Sequence, residues 1–284
     1  MIVVGTDGSS ESLRAVTWAA REAARQGVPL RLVHALPTWA AVSPPGSRHP
    51  EVGQWWRTEA RRVLRQSVAH AEREAPAVVL RSAVLPGDPA PVLLAEARAA
   101  RMLVVGGHGL GGIRGLLLGS VGLKLAGHTP CPLVVVRGAA GSGHDEILVG
   151  VDASAGSAAA LEFAFAEASL RGAAIRAVYA WEPPLPPVVL GAPTPAIDLT
   201  GYAQDAARVL ADALEPVRQR HPEVKVTTAA VCGHPVRVLE EASAAADLLV
   251  VGARGLGGLS GLILGSVSHG VLHRAHCSVA VVRG

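Results

Sequence analysis

Two glycine-rich stretches of this sequence have the residue types that bind anionic groups. The first begins at Gly106 and ends at Ser120, and the second begins at Gly252 and ends at Ser266. In each, a glycine is followed after two residues by another glycine, and after nine more by a Gly-Ser pair. Glycine lets a backbone approach a ligand closely, and a helix N-terminus adds roughly half a positive charge. The spacing therefore predicts two phosphate-binding loops.

An aspartate follows the first apolar run of each half of the chain. Asp7 ends the run at residues 2–7, and Asp152 ends the run at residues 147–152. Ligands of an open parallel sheet bind beyond the carboxyl ends of the strands, so we expect each aspartate to face a glycine loop. A carboxylate suits a ribose hydroxyl, or a divalent metal that bridges to phosphates. The combination predicts a nucleotide site; the alternative is that both aspartates are helix N-caps.

The elements that position these residues alternate between strand and helix. Short apolar runs at residues 102–105 and 248–251 come directly before the two glycine loops. Apolar runs without charged residues are typical of strands covered on both faces. The order of strand, helix, strand, helix predicts an α/β fold in which a parallel sheet has helices on both faces.

The second half of the chain repeats the first. Asp7 and Asp152 are 145 residues apart, Ser120 and Ser266 are 146 apart, and about half of the last 30 positions of each copy are identical. This offset indicates a tandem duplication. We expect one nucleotide-binding domain at residues 1–138, a linker at 139–145 and a second such domain at 146–284.

Composition excludes several classes of protein. The 284 residues carry a net charge of only +3 without a Lys/Arg block, so nucleic-acid binding is not expected. No apolar run is long enough to span a bilayer, and Asp7 comes too early for a signal peptide. The three cysteines form no Cys-x-x-Cys pair, which favours a reducing compartment. We expect a cytoplasmic protein, with Cys131 and Cys277 packed before the last strands of the two halves.

The glycine loops differ from the common nucleotide motifs. No Gly-Lys-Ser/Thr follows either loop, which excludes the P-loop, and a match to the dinucleotide fingerprint at Gly107, Gly109 and Gly112 follows the fourth strand, not the first. The pattern instead resembles the ATP-binding branch of the universal stress protein family. The resemblance extends over nearly the whole chain, once in each of two tandem copies. The motifs that carry it are Asp7-Gly8-Ser9, Asp152-Ala153-Ser154, His108-Gly109 and Arg254-Gly255.

The resemblance implies a fold and a set of site residues. It implies two tandem, open-twisted, parallel five-stranded sheets of order 3-2-1-4-5, a Rossmann-like or adenine nucleotide alpha hydrolase-like fold, with the last strands paired between domains. ATP, with Mg²⁺, is the implied cofactor. In the first domain the implied site residues are Gly5, Thr6, Asp7, Ala35, Gly106, His108, Gly109, Gly119, Ser120 and Val121. In the second domain they are Gly150, Val151, Asp152, Ala180, Gly252, Arg254, Gly255, Gly265, Ser266 and Val267.

The sequence leaves several functions open. We find no catalytic constellation, so we expect a stress-response regulatory protein with slow or no ATP hydrolysis. The alternatives are a nucleotide hydrolase or transferase that uses the same pockets, and an interaction protein that binds no nucleotide. We also expect a homodimer and a regulatory protein partner, with the loops at 37–53 and 183–195 ordered by ATP. No metal site is expected, although His269, His273, His276 and Cys277 have a spacing that zinc sites also use.

Overall fold

The computed structural model describes residues 1–42, 49–107, 119–138, 143–183, 199–256 and 263–284. Within these residues ten strands form one sheet. The strands are β1 (Ile2–Gly5), β2 (Leu30–Leu36), β3 (Leu80–Pro86), β4 (Met102–Gly106), β5 (Leu133–Val136), β6 (Glu146–Val151), β7 (Ala174–Trp181), β8 (Val226–Cys232), β9 (Leu248–Gly252) and β10 (Ser278–Val282).

Helices connect the strands in the alternating order that the sequence predicts. They are α1 (Ser10–Gln26), α2 (Thr38–Ala41), α3 (Pro50–Glu74), α4 (Pro89–Ala97), α5 (Ser120–His128), α6 (Ala155–Arg171), α7 (Leu199–Arg220), α8 (Pro235–Ala242) and α9 (Ser266–Arg274). No helix within the described ranges is long and apolar enough to cross a membrane.

The strand order shows how the two halves join. The sheet runs β3-β2-β1-β4-β5-β10-β9-β6-β7-β8, so each half has the expected order 3-2-1-4-5. The two five-stranded sheets are therefore halves of one ten-stranded sheet. They meet where β5 pairs antiparallel with β10, with Val135 opposite Val279. Both strands are buried, and apart from Ser278 their residues are apolar. An uncovered edge of this kind would attract another strand, and each of the two strands covers the other.

Helices cover both faces of the sheet, as predicted. One apolar layer contains buried residues of α1, α3, α6 and α7, and the other contains those of α4, α5, α8 and α9. Alternate residues of each strand point into opposite layers; in β1, Ile2 and Val4 face the first layer and Val3 faces the second. The cysteines before β5 and β10 are buried, as expected, and burial raises the pKa of the Cys277 thiol to about 12.

The helices that follow β1 and β6 begin and end with the same signals. Ser9 caps α1 by accepting a hydrogen bond from the backbone N–H of Ser12 at 3.2 Å, and Ser154 caps α6 in the same way. Gly27, with φ of 62°, ends α1 in the left-handed conformation that glycine adopts without a Cβ penalty. The serines are the caps, so the alternative that Asp7 and Asp152 cap these helices is wrong.

The region predicted as a loop at residues 37–53 contains helical structure. It includes α2, and α3 begins within it at Pro50, since proline is favourable at the first helical position. Residues 43–48 lie outside the described part. Trp56 of α3 contacts Trp39 of α2 edge-on and also contacts Trp55, which is 61% exposed.

Two arginines tie each half to the other half's last helix. Arg137 follows β5 and donates hydrogen bonds to the carbonyls of Leu272, His273 (3.2 Å) and Ala275 (2.9 Å) at the end of α9. Arg283 follows β10 and donates to the carbonyl of Gly127 in α5. A cation at a helix C-terminus satisfies carbonyls that lack partners in the helix and complements the helix dipole. The β5–β10 junction is thus held by polar contacts as well as by strand pairing.

Candidate functional site

The two sequence motifs of the second half meet at one end of the sheet. Asp152 comes directly after β6, Gly252 is the last residue of β9, and these strands are parallel neighbours. Asp152 Oδ2 accepts a hydrogen bond from the backbone N–H of Leu256, at 3.2 Å, across about a hundred residues of sequence. The aspartate therefore faces the glycine loop in the second half, as the sequence predicts.

Each aspartate also organises the turn before its helix. Asp7 Oδ1 accepts hydrogen bonds from the Ser9 N–H at 3.0 Å and the Ser9 hydroxyl at 2.6 Å. Asp152 Oδ1 accepts the same two bonds from Ser154, at the same distances. The aspartates therefore stabilise the serines that cap α1 and α6 and do not cap the helices themselves.

Some glycines of the motif are required by packing. An added Cβ on Gly252 would lie 2.6 Å from the carbonyl carbon of Gly156, at the start of α6. On Gly106 it would lie 2.7 Å from the carbonyl carbon of Glu11, in α1. The ends of β4 and β9 thus pass against the first turns of α1 and α6, where a side chain has no room.

Gly255 has a different constraint. Its added Cβ would lie 2.0 Å from Asp152 Oδ2, an oxygen that already accepts the Leu256 N–H. Gly255 therefore lets the loop close onto Asp152. The loop returns through a hydrogen bond from the Gly265 N–H to the Ala253 carbonyl, at 2.8 Å, and α9 begins at Ser266.

The N-terminus of α9 is open to an acceptor. Its N-cap is Gly265, so no side-chain oxygen of the cap bonds the first-turn N–H groups. The same holds for α5, which begins at Ser120 after Gly119, and the Gly119 N–H bonds the Gly107 carbonyl at 2.8 Å. Both serines lie at the helix starts where the sequence predicts them. Such N-termini favour negative charge.

A cavity of about 380 Å³ lies where these elements meet in the second half, within the size range of ligand pockets. Its walls are mostly small and apolar, with Val178 and Ala180 from β7 and Leu239 from α8. The lining residues that the sequence analysis selected are Gly150, Val151, Asp152, Ala180, Gly252, Arg254, Gly255, Gly265, Ser266 and Val267. Every site residue predicted for the second domain thus borders one cavity.

The charges of the cavity favour an anionic ligand. Among its described lining residues, the charged ones are Asp152 and Arg254. Asp152 already accepts three hydrogen bonds, from Ser154 and Leu256, while the Arg254 side chain is exposed. With the open N-terminus of α9, the lining offers N–H groups and one cation to phosphate oxygens. These donors fit a nucleotide phosphate, and an Mg²⁺ ion here would need phosphate and water oxygens for most of its ligands.

The first half repeats part of this arrangement. Gly5, Gly106, Gly119, Ser120 and Val121 hold the places of their second-half counterparts, Ala35 lies near the end of β2, and His108 and Gly109 lie outside the described residues. The Thr6 side chain is buried and bonds the Ser67 hydroxyl of α3 at 2.9 Å. The side chain of Thr6 therefore anchors α3, and its backbone N–H and carbonyl are bonded to Val33 and His34.

Sequence reasoning missed some residues of the cavity. Ser268 lies two residues into the Gly-Ser helix, and its hydroxyl donates to the Gly252 carbonyl at 2.5 Å. Pro235 and Leu239 line the cavity from α8. The sequence did contain a signal for Ser268, which is the second serine of Gly265-Ser266-Val267-Ser268. No local pattern indicates the α8 residues, because their place depends on how α8 packs.

The described residues contain no group of three or more His, Cys, Asp or Glu side chains placed to hold a metal ion. His269 and His273 do lie together, with ring centroids 4.8 Å apart. Burial, together with the charges of His269 and Arg137, lowers the pKa of His273. The two histidines therefore lie side by side on α9, and His273 is the one next to Arg137.

Ala153 stands in the left-handed turn where the first half has Gly8, with φ of 60° against 82°. The turn is otherwise the same in both halves. We predict that Ala153→Gly stabilises the chain by about 0.5–1 kcal/mol, because left-handed backbone strain exceeds the entropy cost of glycine. We predict that Gly8→Ala destabilises it, because its Cβ would also lie 3.0 Å from Val63 Cγ2. Urea unfolding measures both; a loss of stability in Ala153→Gly would contradict the strain argument.

Comparison with known proteins shows one consistent similarity. The model of a family described as the universal stress protein family matches residues 1–137 and again 143–283. A universal stress protein of Mycobacterium tuberculosis is 37% identical over 290 residues, which cover 99% of this chain and 96% of the relative. A second from that organism is 35% identical over 300 residues, with the same coverage. The solved structure of a universal stress protein from Archaeoglobus fulgidus covers 99% of this chain and 97% of its own, with 19% identity and a TM-score of 0.72.

Proposed function

The chain belongs to the universal stress protein family, with two copies of the family's domain in tandem, and we propose that it binds one adenine nucleotide, ATP, in each domain. Residues 1–138 and 146–284 would be the two nucleotide-binding units, joined by the linker at 139–145. Its role would be regulatory: in the cytoplasm, ATP occupancy would change how the protein binds a partner protein during stress.

The observation that carries this proposal is the convergence of the two motifs on one cavity. Asp152 lies about a hundred residues before the Gly252–Gly255 loop and the start of α9, and all of them line the same space. The cavity offers an uncapped helix N-terminus and Arg254 at one side and apolar walls at the other. A nucleotide has that same division between charged phosphates and a flat apolar base.

The residues would divide the nucleotide between them. Loop glycines, Ser266 and Arg254 would receive the phosphates, Asp152 the ribose or an Mg²⁺ carried by the phosphates, and the backbone at Ala180 the adenine. Bound Mg²⁺ would supply charge neutralisation between phosphate oxygens. In the first domain Ser120, Asp7 and Ala35 would take the equivalent roles.

Hydrolysis is expected to be slow or negligible. A hydrolase needs a group that orients or deprotonates the attacking water. Among the described lining residues, Asp152 is the one carboxylate and there is no lysine or histidine. Both oxygens of Asp152 already accept hydrogen bonds from Ser154 and Leu256, so they are engaged by the protein and not by a water molecule. ATP turnover at ordinary enzyme rates would contradict this expectation, provided that the double variant Asp7→Ala, Asp152→Ala abolishes it.

The deciding experiment is release of bound nucleotide from freshly purified protein by heat or acid, with identification and stoichiometry by chromatography. About two ATP per chain would support both sites, and about one would show that the two domains have diverged. No nucleotide, and no uptake of added Mg-ATP, would favour an interaction protein that uses its surface. Light scattering on the same sample tests the predicted homodimer. Because β5 and β10 already cover each other within one chain, a homodimer would have to use another surface.

Gly255→Ala tests the second site alone. Its Cβ would collide with Asp152 Oδ2, so Asp152 must turn away and release the Leu256 N–H. We expect ATP affinity at the second site to fall by about a hundredfold, as loss of several preorganised donors implies. The unchanged first site is the internal control, so the stoichiometry should fall by one. Two sites of unchanged affinity would show that this loop does not bind the nucleotide.

A further inference from the structure

Two carboxyl groups are buried where the two halves of the chain meet. Glu22 lies in α1 and Glu167 in α6, and they are 0% and 3% exposed. They are 145 residues apart, so they occupy the same position of the two repeats. Buried acidic residues are rare without a partner, and the pair has no role in the candidate nucleotide sites.

The two carboxyl groups share the same donors. Gln26 Nε2 donates to Glu22 Oε1 at 2.9 Å and to Glu167 Oε1 at 3.1 Å. An Arg171 NH2 group donates to Glu22 Oε2 and Glu167 Oε2, at 2.8 Å in each case. Each donor therefore bridges α1 and α6, and the four side chains form one network across the domain boundary.

The repeat itself leaves this network short of one positive charge. Arg171 stands at the position that Gln26 occupies in the first half. Two buried acids thus share Arg171, whose side chain is 12% exposed and lies over the Trp18 ring, 5.1 Å from its centroid. Arg25 also reaches Glu22, at 3.3 Å, but it is largely exposed and screened by water.

The sheet contributes apolar residues to the layer in which the pair lies. The residues of β5 and β10 in the same apolar layer are Val134, Val136, Ala280 and Val282. Burial and the negative charge of Glu22 raise the pKa of Glu167, Arg171 lowers it, and the net result is a pKa of about 7. Like charges in a buried pair disfavour double ionisation, because neither can be solvated.

We propose that Glu22 and Glu167 hold one proton between them near neutral pH, and that loss of this proton weakens the contact between the two halves of the chain. The protonated pair has one negative charge against Arg171 and can form a hydrogen bond between its carboxyl groups. The fully ionised pair has two negative charges against Arg171. Because α1 and α6 begin at the turns of Asp7 and Asp152, this contact joins the helices that shape both candidate sites.

The sign of the pH effect follows from the higher folded-state pKa. Between the ordinary glutamate pKa of 4.5 and the folded value of about 7, the folded chain binds more protons than the unfolded chain. Stability from this site is therefore present at low pH and lost as the pH rises through about 7. The loss amounts to about a tenfold decrease in the folding equilibrium constant between pH 6 and pH 8.

The test compares urea unfolding of the full chain at pH 6 and pH 8 in wild type and three variants. Glu167→Gln keeps a neutral hydrogen-bonding side chain, and Gln26→Arg supplies the missing second cation. Both should remove most of the tenfold decrease that the wild type shows. Glu162→Gln, an exposed position of the same helix, is the matched control and should keep the wild-type decrease. A wild-type decrease that persists in Glu167→Gln and Gln26→Arg would overturn the proposal.

Infrared spectroscopy tests the proton directly, and it needs no variant that might fold poorly. At pH 6 exposed carboxylates are ionised, so a carbonyl band of a protonated, buried carboxyl group should remain in the wild-type spectrum and disappear above pH 8. Absence of that band at pH 6 would overturn the proposal irrespective of the unfolding data.

Discussion

Replacing Gly252 with alanine is expected to destabilise the folded chain by about 3 kcal/mol. The new Cβ would lie 2.6 Å from the carbonyl carbon and 2.7 Å from the carbonyl oxygen of Gly156. Both partners are backbone, one at the end of β9 and the other in the first turn of α6. Neither can rotate away, so α6 must move off the sheet that buries its apolar face.

Urea unfolding gives the free energy directly, and the chain offers two comparisons. Gly106→Ala should cost a similar amount, because its Cβ would lie 2.7 Å from the carbonyl carbon of Glu11. Gly265→Ala, in the same loop as Gly252, is the matched control: its nearest contact is 3.4 Å, so we expect about 1 kcal/mol or less. Equal costs for Gly252→Ala and Gly265→Ala would show that the close approach is not what requires glycine at 252.

This result bears on how the glycine motif is interpreted. If Gly106 and Gly252 are fixed by packing, a chain that had lost nucleotide binding would still keep them. The glycine that separates the two explanations is Gly255, whose contact is with Asp152 in the cavity and not with a helix backbone. Experiments on nucleotide binding should therefore change Gly255 and leave Gly252 in place.

Replacing Arg137 with methionine is expected to cost about 3 kcal/mol. Its guanidinium donates to the carbonyls of Leu272, His273 and Ala275, which end α9 and have no helical partners. Methionine keeps much of the apolar stem but leaves these carbonyls without the charged donor. Because the bonds run from the first half to the second, the loss weakens the junction at β5 and β10.

Arg283→Met provides the comparison for this prediction. Arg283 is the equivalent residue of the second half, and it donates to the carbonyl of Gly127. We expect its replacement to cost less than half as much, in urea unfolding monitored by circular dichroism. Arg137→Lys should recover only part of the stability, since an ammonium group cannot reach several carbonyls in the fixed geometry of a guanidinium. An Arg137→Met cost no larger than that of Arg283→Met would contradict the capping role.

The order of strands and helices in each half could be predicted from the sequence. The duplication, the apolar strands and the serines at 120 and 266 that begin helices are confirmed, because they depend on local periodicity and on residues a few positions apart. The family resemblance supplied the strand order and the pairing of the last strands. These features repeat along the chain, so a single sequence already displays them.

The side-chain contacts between distant parts of the fold could not be predicted from the sequence. It showed Asp152 beside Leu256, Trp55 exposed, and Glu22 against Glu167 between the halves. Periodicity indicates that a residue faces inward, but the partner it meets there depends on how two helices or loops pack, often more than a hundred residues apart. A buried glutamate reads as a surface residue in sequence because only the neighbouring domain supplies the arginine and amide that stabilise it.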